Sequence, residues 1–340
     1  MKNFRFNYII TIHNKQELIG EVLENVLACC RENSFIYPVL DGCTDNTEKV
    51  IDEIIQKNPQ TPIIKVYAPD VHELKSINAG LRAASQSEKG CNIILQDDVV
   101  IKDHDLEDLV YKIYDYLGYF KIGYLGFRHG VNVYLKDRPE ISEYFRNREQ
   151  LIEERNIIES AYGTGMTPVP LAPHKMIERM VAVGSPQCLS CEVVNKIGVM
   201  DEQMAPVSWS CHDISLRCLE AGLHNYVFAL NFQSELDWGT THVQSTATPK
   251  HGQVYLRNRR YLHQKYKAFL EQFRQSKEYC RLKLSRSFLV PGIPMSTEEK
   301  QKAVQQYCIN RKKQLGFVVH FISKYVKLPL KWILTRLRLY

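Results

Sequence analysis

The chain has 340 residues, 44% hydrophobic and 24% charged, enough for one large domain with an appendage and too apolar for a disordered polymer. Net charge is +6, yet the last 41 residues, from Lys300 on, hold ten Lys or Arg and no Asp or Glu, which leaves the body at −4. That excludes a nucleic-acid-binding body and directs attention to a basic tail suited to an anionic surface. Ten unevenly spaced cysteines and a polar opening, Met1 to Asn7, with no signal-peptide pattern fit reduced thiols in a cytoplasmic setting.

Taken in chain order, Phe6 to Ile12 is a short apolar, β-branched run and reads as a buried strand. Glu17 to Arg31 carries Leu18, Ile19, Val22, Leu23, Val26 and Leu27 at helical spacing. Phe35 to Leu40 predicts a second strand. Asp45 and Glu48 have capping-box spacing ahead of a second helix through Val50, Ile51, Ile54 and Ile55. Pro62 to Tyr67 predicts a third strand, Glu73 to Ala84 a third helix and Cys91 to Leu95 a fourth strand. Such alternation implies parallel strands joined by right-handed crossovers, with ligands beyond the carboxyl ends of the strands. The polar residues placed there are Thr11, His13 and Asn14 after the first strand, Asp41 after the second, and Gln96, Asp97 and Asp98 after the fourth.

Residues 127–186, of mixed charge with Gly163, Gly165, Pro168, Pro170 and Pro173, read as an insertion shaping an acceptor side. Cys191 to Gly198 predicts a strand and short helix. Asp213 to Ala221 predicts a helix with Gly222 as its C-cap, and Tyr226 to Leu230 a late strand.

Five segments in order resemble glycosyltransferase family 2 over roughly the first 240 residues. They are Asp41-Gly42-Cys43-Thr44-Asp45-Asn46-Thr47, Lys75 to Leu81 with its Asn78-Ala79-Gly80, Ile94 to Asp98, Ile197 to Glu202, and His212-Asp213 with Leu216-Arg217. The resemblance implies an α/β GT-A fold: a Rossmann-like, mostly parallel sheet flanked by helices, with a helical, basic C-terminal extension. It implies a catalytic domain over 1–245, with residues 1–100 as its nucleotide-binding half, and a helical region over 246–340. The activity implied is an inverting transfer from a nucleotide sugar, UDP-linked as the commonest donor, to a hydroxyl of a glycan or lipid-linked acceptor in surface polysaccharide assembly.

The resemblance also assigns roles. Asp41 accepts the imide N–H of the base; Thr11, His13 and Asn14 line base or ribose; Lys75 and Asn78 belong to the donor site; Gln96 and Asp97 stand in the Asp-x-Asp motif. Asp98, with His242 as a late partner, ligates Mn²⁺ or Mg²⁺ on the donor diphosphate. Asp213 is the general base. Two departures stand out: the motif reads Gln96-Asp97-Asp98, and the usual Glu-Asp reads His212-Asp213.

Other readings compete. Asp41 suits a turn cap, and Asp97 with Asp98 suits a solvated loop end. His242 suits an exposed loop, Cys188 with Cys191 suits buried thiols better than zinc, and Arg257, Arg259 and Arg260 suit a solvated basic helix. A catalytically silent nucleotide-sugar-binding or scaffold protein is the alternative function. A nicotinamide dehydrogenase fails because no Gly-x-Gly-x-x-Gly follows the first strand. From Leu315 to Leu334 the tail is apolar but holds Lys324, Lys327, Lys331 and Pro329. That predicts a helix over 311–340 lying on an anionic membrane surface, peripheral on the inner face of the cell membrane, and not a span.

Overall fold

The computed structural model describes residues 3–132, 171, 174–206, 209–234, 249–283 and 285–293. The chain divides into two compact units, Met1–Ile293 and Pro294–Tyr340, and all the described residues belong to the first. His242, most of the 127–186 insertion and the 311–340 tail lie outside the described residues.

The first half alternates as its sequence periods dictate. Strand β1 (Arg5–Ile12) leads to α1 (Ile19–Cys29), β2 (Ser34–Asp41), α2 (Thr47–Lys57), β3 (Val66–Ala68), α3 (His72–Ala83) and β4 (Gly90–Gln96). The third strand is shorter and later than its apolar run suggested, because Ile63 forms only an isolated bridge to Ile36. The capping box does not form: Asp45 accepts from the Thr47 N–H at 3.0 Å, while Glu48 turns to Lys65 and Tyr67. After β4 come β5 (Val99–Ile101), α4 (Leu106–Leu117), β6 (Ile122–Gly126), β7 (His129–Val131), β8 (Lys175–Glu178), β9 (Val181–Val183) and β10 (Gln187–Ser190). The rest comprises α5 (Cys191–Ile197), α6 (Ser210–Glu220), β11 (His224–Phe228), β12 (Phe232–Ser234), α7 (Pro249–Arg274), α8 (Lys277–Lys283) and β13 (Phe288–Leu289). A three-residue 3₁₀ turn, Glu202–Met204, precedes α6.

Nine strands form one sheet in the order β13-β8-β11-β6-β10-β4-β1-β2-β3. The block β3-β2-β1-β4 is parallel throughout. Strand β10 runs antiparallel between β4 and β6, and β8 runs antiparallel between β11 and β13. All the other strands share one direction, so the sheet is mostly parallel, as expected. Small two-stranded sheets, β5 with β12 and β7 with β9, sit beside it.

Every residue of β1 is buried, and its two faces feed two cores. Phe6, Tyr8, Ile10 and Ile12 pack with residues of α1, α2 and α4, while Ile9 packs with residues of α3, α5, α6 and α7. Alternation with period two is what a strand between two helical layers requires. Each fully buried aliphatic or aromatic side chain contributes roughly 1.5–3 kcal/mol. Gly80 shows how closely α3 sits: a Cβ there would lie 2.3 Å from Ile9 Cγ2 and 3.0 Å from Val39 Cγ2.

Candidate active site

In register Thr11 pairs with both Val39 and Gln96, and Asp41 pairs with Ala68. The carboxyl ends of β1 to β4 therefore form one edge, and the loops leaving it are laced together. At the end of β2, Asp41 is 4% exposed and its Oδ1 accepts the Val71 N–H at 2.7 Å. Gly42, at φ +61°, lets this turn close on the next loop, since a Cβ there would meet Asp70 Cβ at 2.7 Å. His13 Nδ1 lies 2.6 Å from the Asp41 carbonyl oxygen. A carbonyl only accepts, so Nδ1 carries the proton and Nε2 accepts from Asn14 Nδ2 at 3.3 Å. Asn14 Oδ1 accepts in turn from the Thr44 N–H at 2.8 Å. Thr11, near the end of β1, is 7% exposed.

The acids after β4 continue the edge. Asp97 Oδ2 accepts the His13 N–H at 2.9 Å, and Oδ1 lies 3.9 Å from Lys15 Nζ. Burial pushes the Asp97 carboxyl up to about 7; the His13 N–H and Lys15 oppose this, while Asp98 and Glu73 add to it. Asp98 is 9% exposed and lies immediately before β5, whose pairing with β12 anchors that turn. Gln96 is held at both ends: its N–H donates to Ser185 Oγ at 2.9 Å and its Nε2 to Glu73 Oε1 at 2.6 Å. Burial and Asp98 raise the Glu73 carboxyl above its ordinary value, against the Gln96 hydrogen bond. Glu73, Asp97 and Asp98 thus share one edge, with Lys15 beside Asp97. Of these, the Asp98 carboxylate, with negative charge around it, is an oxygen donor that fits a hard divalent cation.

The structure brings Thr11, His13, Asn14, Asp41, Gln96, Asp97 and Asp98 to this edge. Asn78 is buried and faces elsewhere: its Nδ2 donates to the Met200 carbonyl and to Glu202, and its Oδ1 accepts the Met200 N–H. It ties α3 to the loop before the 3₁₀ turn. Lys75 is exposed on α3, with its charge felt by Glu202.

Asp213 differs most from expectation. It is 1% exposed. Its Oδ2 accepts from Arg217 Nε at 3.0 Å, and its Oδ1 accepts from Lys265 Nζ at 2.8 Å and Tyr266 OH at 2.7 Å. Lys265 also bonds Asp201 at 2.7 Å. The carboxylate is therefore a joint between α6 and α7, closed to an acceptor hydroxyl in this conformation. On the same helix Cys211 faces the other way, toward Tyr124 OH at 3.5 Å, Gln187 Oε1 at 3.7 Å and the Gly184 carbonyl at 3.7 Å. Cys188 and Cys191 are both buried. Sequence reasoning gave no role to Glu73, Lys15 or Ser185, and considered Cys211 only as a zinc ligand. Glu73 had a signal, because it follows the third strand as Asp41 follows the second.

A second charged cluster, Glu178, His224 and Glu278, has ligand atoms within 4.8 Å of one another. It sits at the amino end of β11, opposite the edge that carries Asp41 and Gln96. The Arg281 guanidinium bonds both carboxylates and so already occupies the cluster with a cation.

Residues 8–165 match the family described as glycosyl transferase family 2. Over this span, a little under half of its length, the chain is similar to family 2 glycosyltransferases. The matched span runs from Tyr8, inside β1, through β7 and includes Asp41, Glu73 and Asp98. Among solved structures, the mannosyltransferase PcManGT from Pyrobaculum calidifontis, in complex with GDP-Man and Mn²⁺, is 17% identical at a TM-score of 0.44, covering 66% of this chain and 56% of that one. TarS 1–349 of S. aureus in complex with UDP is 16% identical at a TM-score of 0.43, covering 67% of this chain and 58% of that one. The chain thus spans less than two thirds of either. No curated protein sequence matches it.

Proposed function

We propose that the chain is an inverting glycosyltransferase that moves a sugar from a nucleoside-diphosphate donor, UDP-linked first among candidates, to a hydroxyl of a glycan or lipid-linked acceptor. The observation that carries this is the laced edge inside the family 2 match, with Asp41, His13 and Asn14 on one side and Asp97 and Asp98 on the other. Asp41, His13, Asn14 and Thr11 are proposed to receive the base and ribose, and Lys75 to meet the donor from solvent. Asp98 is proposed to hold Mn²⁺ or Mg²⁺, which when bound would neutralise the leaving diphosphate as a Lewis acid. The domain's own residues fix the loops of this edge by hydrogen bonds between side chains and backbone, so that little ordering is left to occur on binding.

Attack by the acceptor oxygen opposite the leaving group inverts the anomeric carbon, and the developing proton needs an acceptor. Asp213 is not proposed for that role, since it is buried under Lys265 and Tyr266. The same burial favours the second reading, a nucleotide-sugar-binding protein without turnover. A screen of UDP- and GDP-sugars with Mn²⁺, following nucleoside diphosphate release, separates the two. The transferase reading expects release with at least one donor and its loss in excess chelator. Nucleotide binding without release from any donor would overturn it. A role in surface polysaccharide assembly, with the 311–340 tail holding the enzyme at the inner face of the membrane, completes the proposal. Among the described residues no helix is long and apolar enough to cross a membrane.

A further inference from the structure

We propose that Glu73 is the proton acceptor of the transfer, with Gln96 as the residue that orients it. The inference rests on the transferase reading and deepens it.

An acceptor hydroxyl needs a carboxylate that is reachable, fixed in direction and still able to take a proton. The edge offers few. Asp41 is 4% exposed with Oδ1 committed to the Val71 N–H. Asp97 holds the His13 N–H and faces Lys15. Asp213 is 1% exposed and carries three donors on its carboxylate. Asp98 is the acid assigned to the diphosphate. Glu73 and Asp97 are both half-buried, but Asp97 faces the Lys15 cation, whereas Glu73 accepts one hydrogen bond, from the neutral Gln96 amide, and makes no ion pair among the described residues.

Its position suits the task. Glu73 stands in the first turn of α3, just past β3 on the same edge as Asp41. Its Oε1 lies 2.6 Å from Nε2 of Gln96, the last residue of β4. Gln96 is a rigid orienter, because β1 pairing and Ser185 Oγ fix its backbone before its Nε2 reaches Glu73. The amide at 96 now has a physical reason. An acid there would repel Glu73, whereas an amide donates to it and leaves the second carboxylate oxygen to the acceptor.

In the step, the acceptor O–H proton passes to Glu73 as the acceptor oxygen bonds to the anomeric carbon. The bond from that carbon to the diphosphate oxygen breaks, and its electron pair leaves with the nucleoside diphosphate. Glu73 returns the proton to water after product departure.

The experiment uses the full chain with the UDP- and GDP-sugar panel, Mn²⁺ and calorimetric titration of UDP and GDP. Glu73→Gln should keep nucleotide affinity within about twofold while turnover falls by roughly two to four powers of ten. Glu73→Ala should regain turnover in formate, a rescue that a structural role would not give, and Gln96→Leu should fall between wild type and Glu73→Gln. Turnover of Glu73→Gln within about threefold of wild type, or no formate rescue of Glu73→Ala at intact nucleotide affinity, would overturn the proposal alone. A wild-type chain that binds nucleotide and turns over no donor would overturn the transferase reading and Glu73 with it.

Discussion

Single residues in this molecule divide into those that face chemistry and those that hold the frame, and the sequence motifs mix the two. Asp98 belongs to the first group. Asp98→Ala should abolish turnover and remove the effect of Mn²⁺ on UDP affinity, measured by calorimetry with and without metal; an unchanged metal effect rejects it as a ligand. Asp213 belongs to the second. Removing it would leave Lys265 and Arg217 facing an empty site, so Asp213→Ala should destabilise the protein by about 3 kcal/mol, read from urea unfolding. The sequence made Asp213 legible as important because a conspicuous acid opens a helix, but it could not say which way the side chain points. That direction depends on Lys265 and Tyr266, some fifty residues later. Asp41 and Gln96 were legible because strand ends are local. Glu73 was half legible: its place after a strand was visible, its partner was not.

Elements carry the next layer of consequence. Helix α3 can lie against β1 and β2 only because residue 80 lacks a side chain. Alanine favours a helix by roughly 1 kcal/mol over glycine, yet its Cβ would meet Ile9 and Val39. Gly80→Ala should therefore be net destabilising by about 1–3 kcal/mol, seen as a lower urea midpoint with an unchanged slope. Helix α4 has its own test. Glu107 is fully buried and accepts from Ser34 Oγ at 2.7 Å and the Arg31 N–H at 3.1 Å, and burial pushes its carboxyl up to about 7. A carboxyl raised on folding binds its proton better in the native state. Stability from that proton is complete below the unfolded value near 4.5 and is lost as pH rises through about 7. Unfolding free energy should fall between pH 5 and pH 8 by up to the order of 3 kcal/mol, and Glu107→Gln should flatten the decline. Of the elements, the four parallel strands were readable from alternating periods. The antiparallel β10 was not, because its direction is set by neighbours distant in sequence.

At the scale of the whole molecule, the mildly acidic body and basic tail make a prediction of their own. The full chain should co-sediment with vesicles containing anionic lipid and should release with salt, while a chain lacking residues 311–340 should stay in solution. Equal sedimentation of the two rejects the anchor. The sheet order has a further consequence, for synthesis. Strand β4 is complete at Gln96, yet the neighbour that covers its outer edge, β10, begins only at Gln187. A ribosome adding roughly 5–20 residues per second needs about 5–18 seconds to cross that interval. Throughout it the nascent chain offers an open, apolar strand edge, which is a template for pairing with other chains. Yield in the cell will then be governed by how well chaperones shield β4 during those seconds, and slower translation will lengthen the exposure.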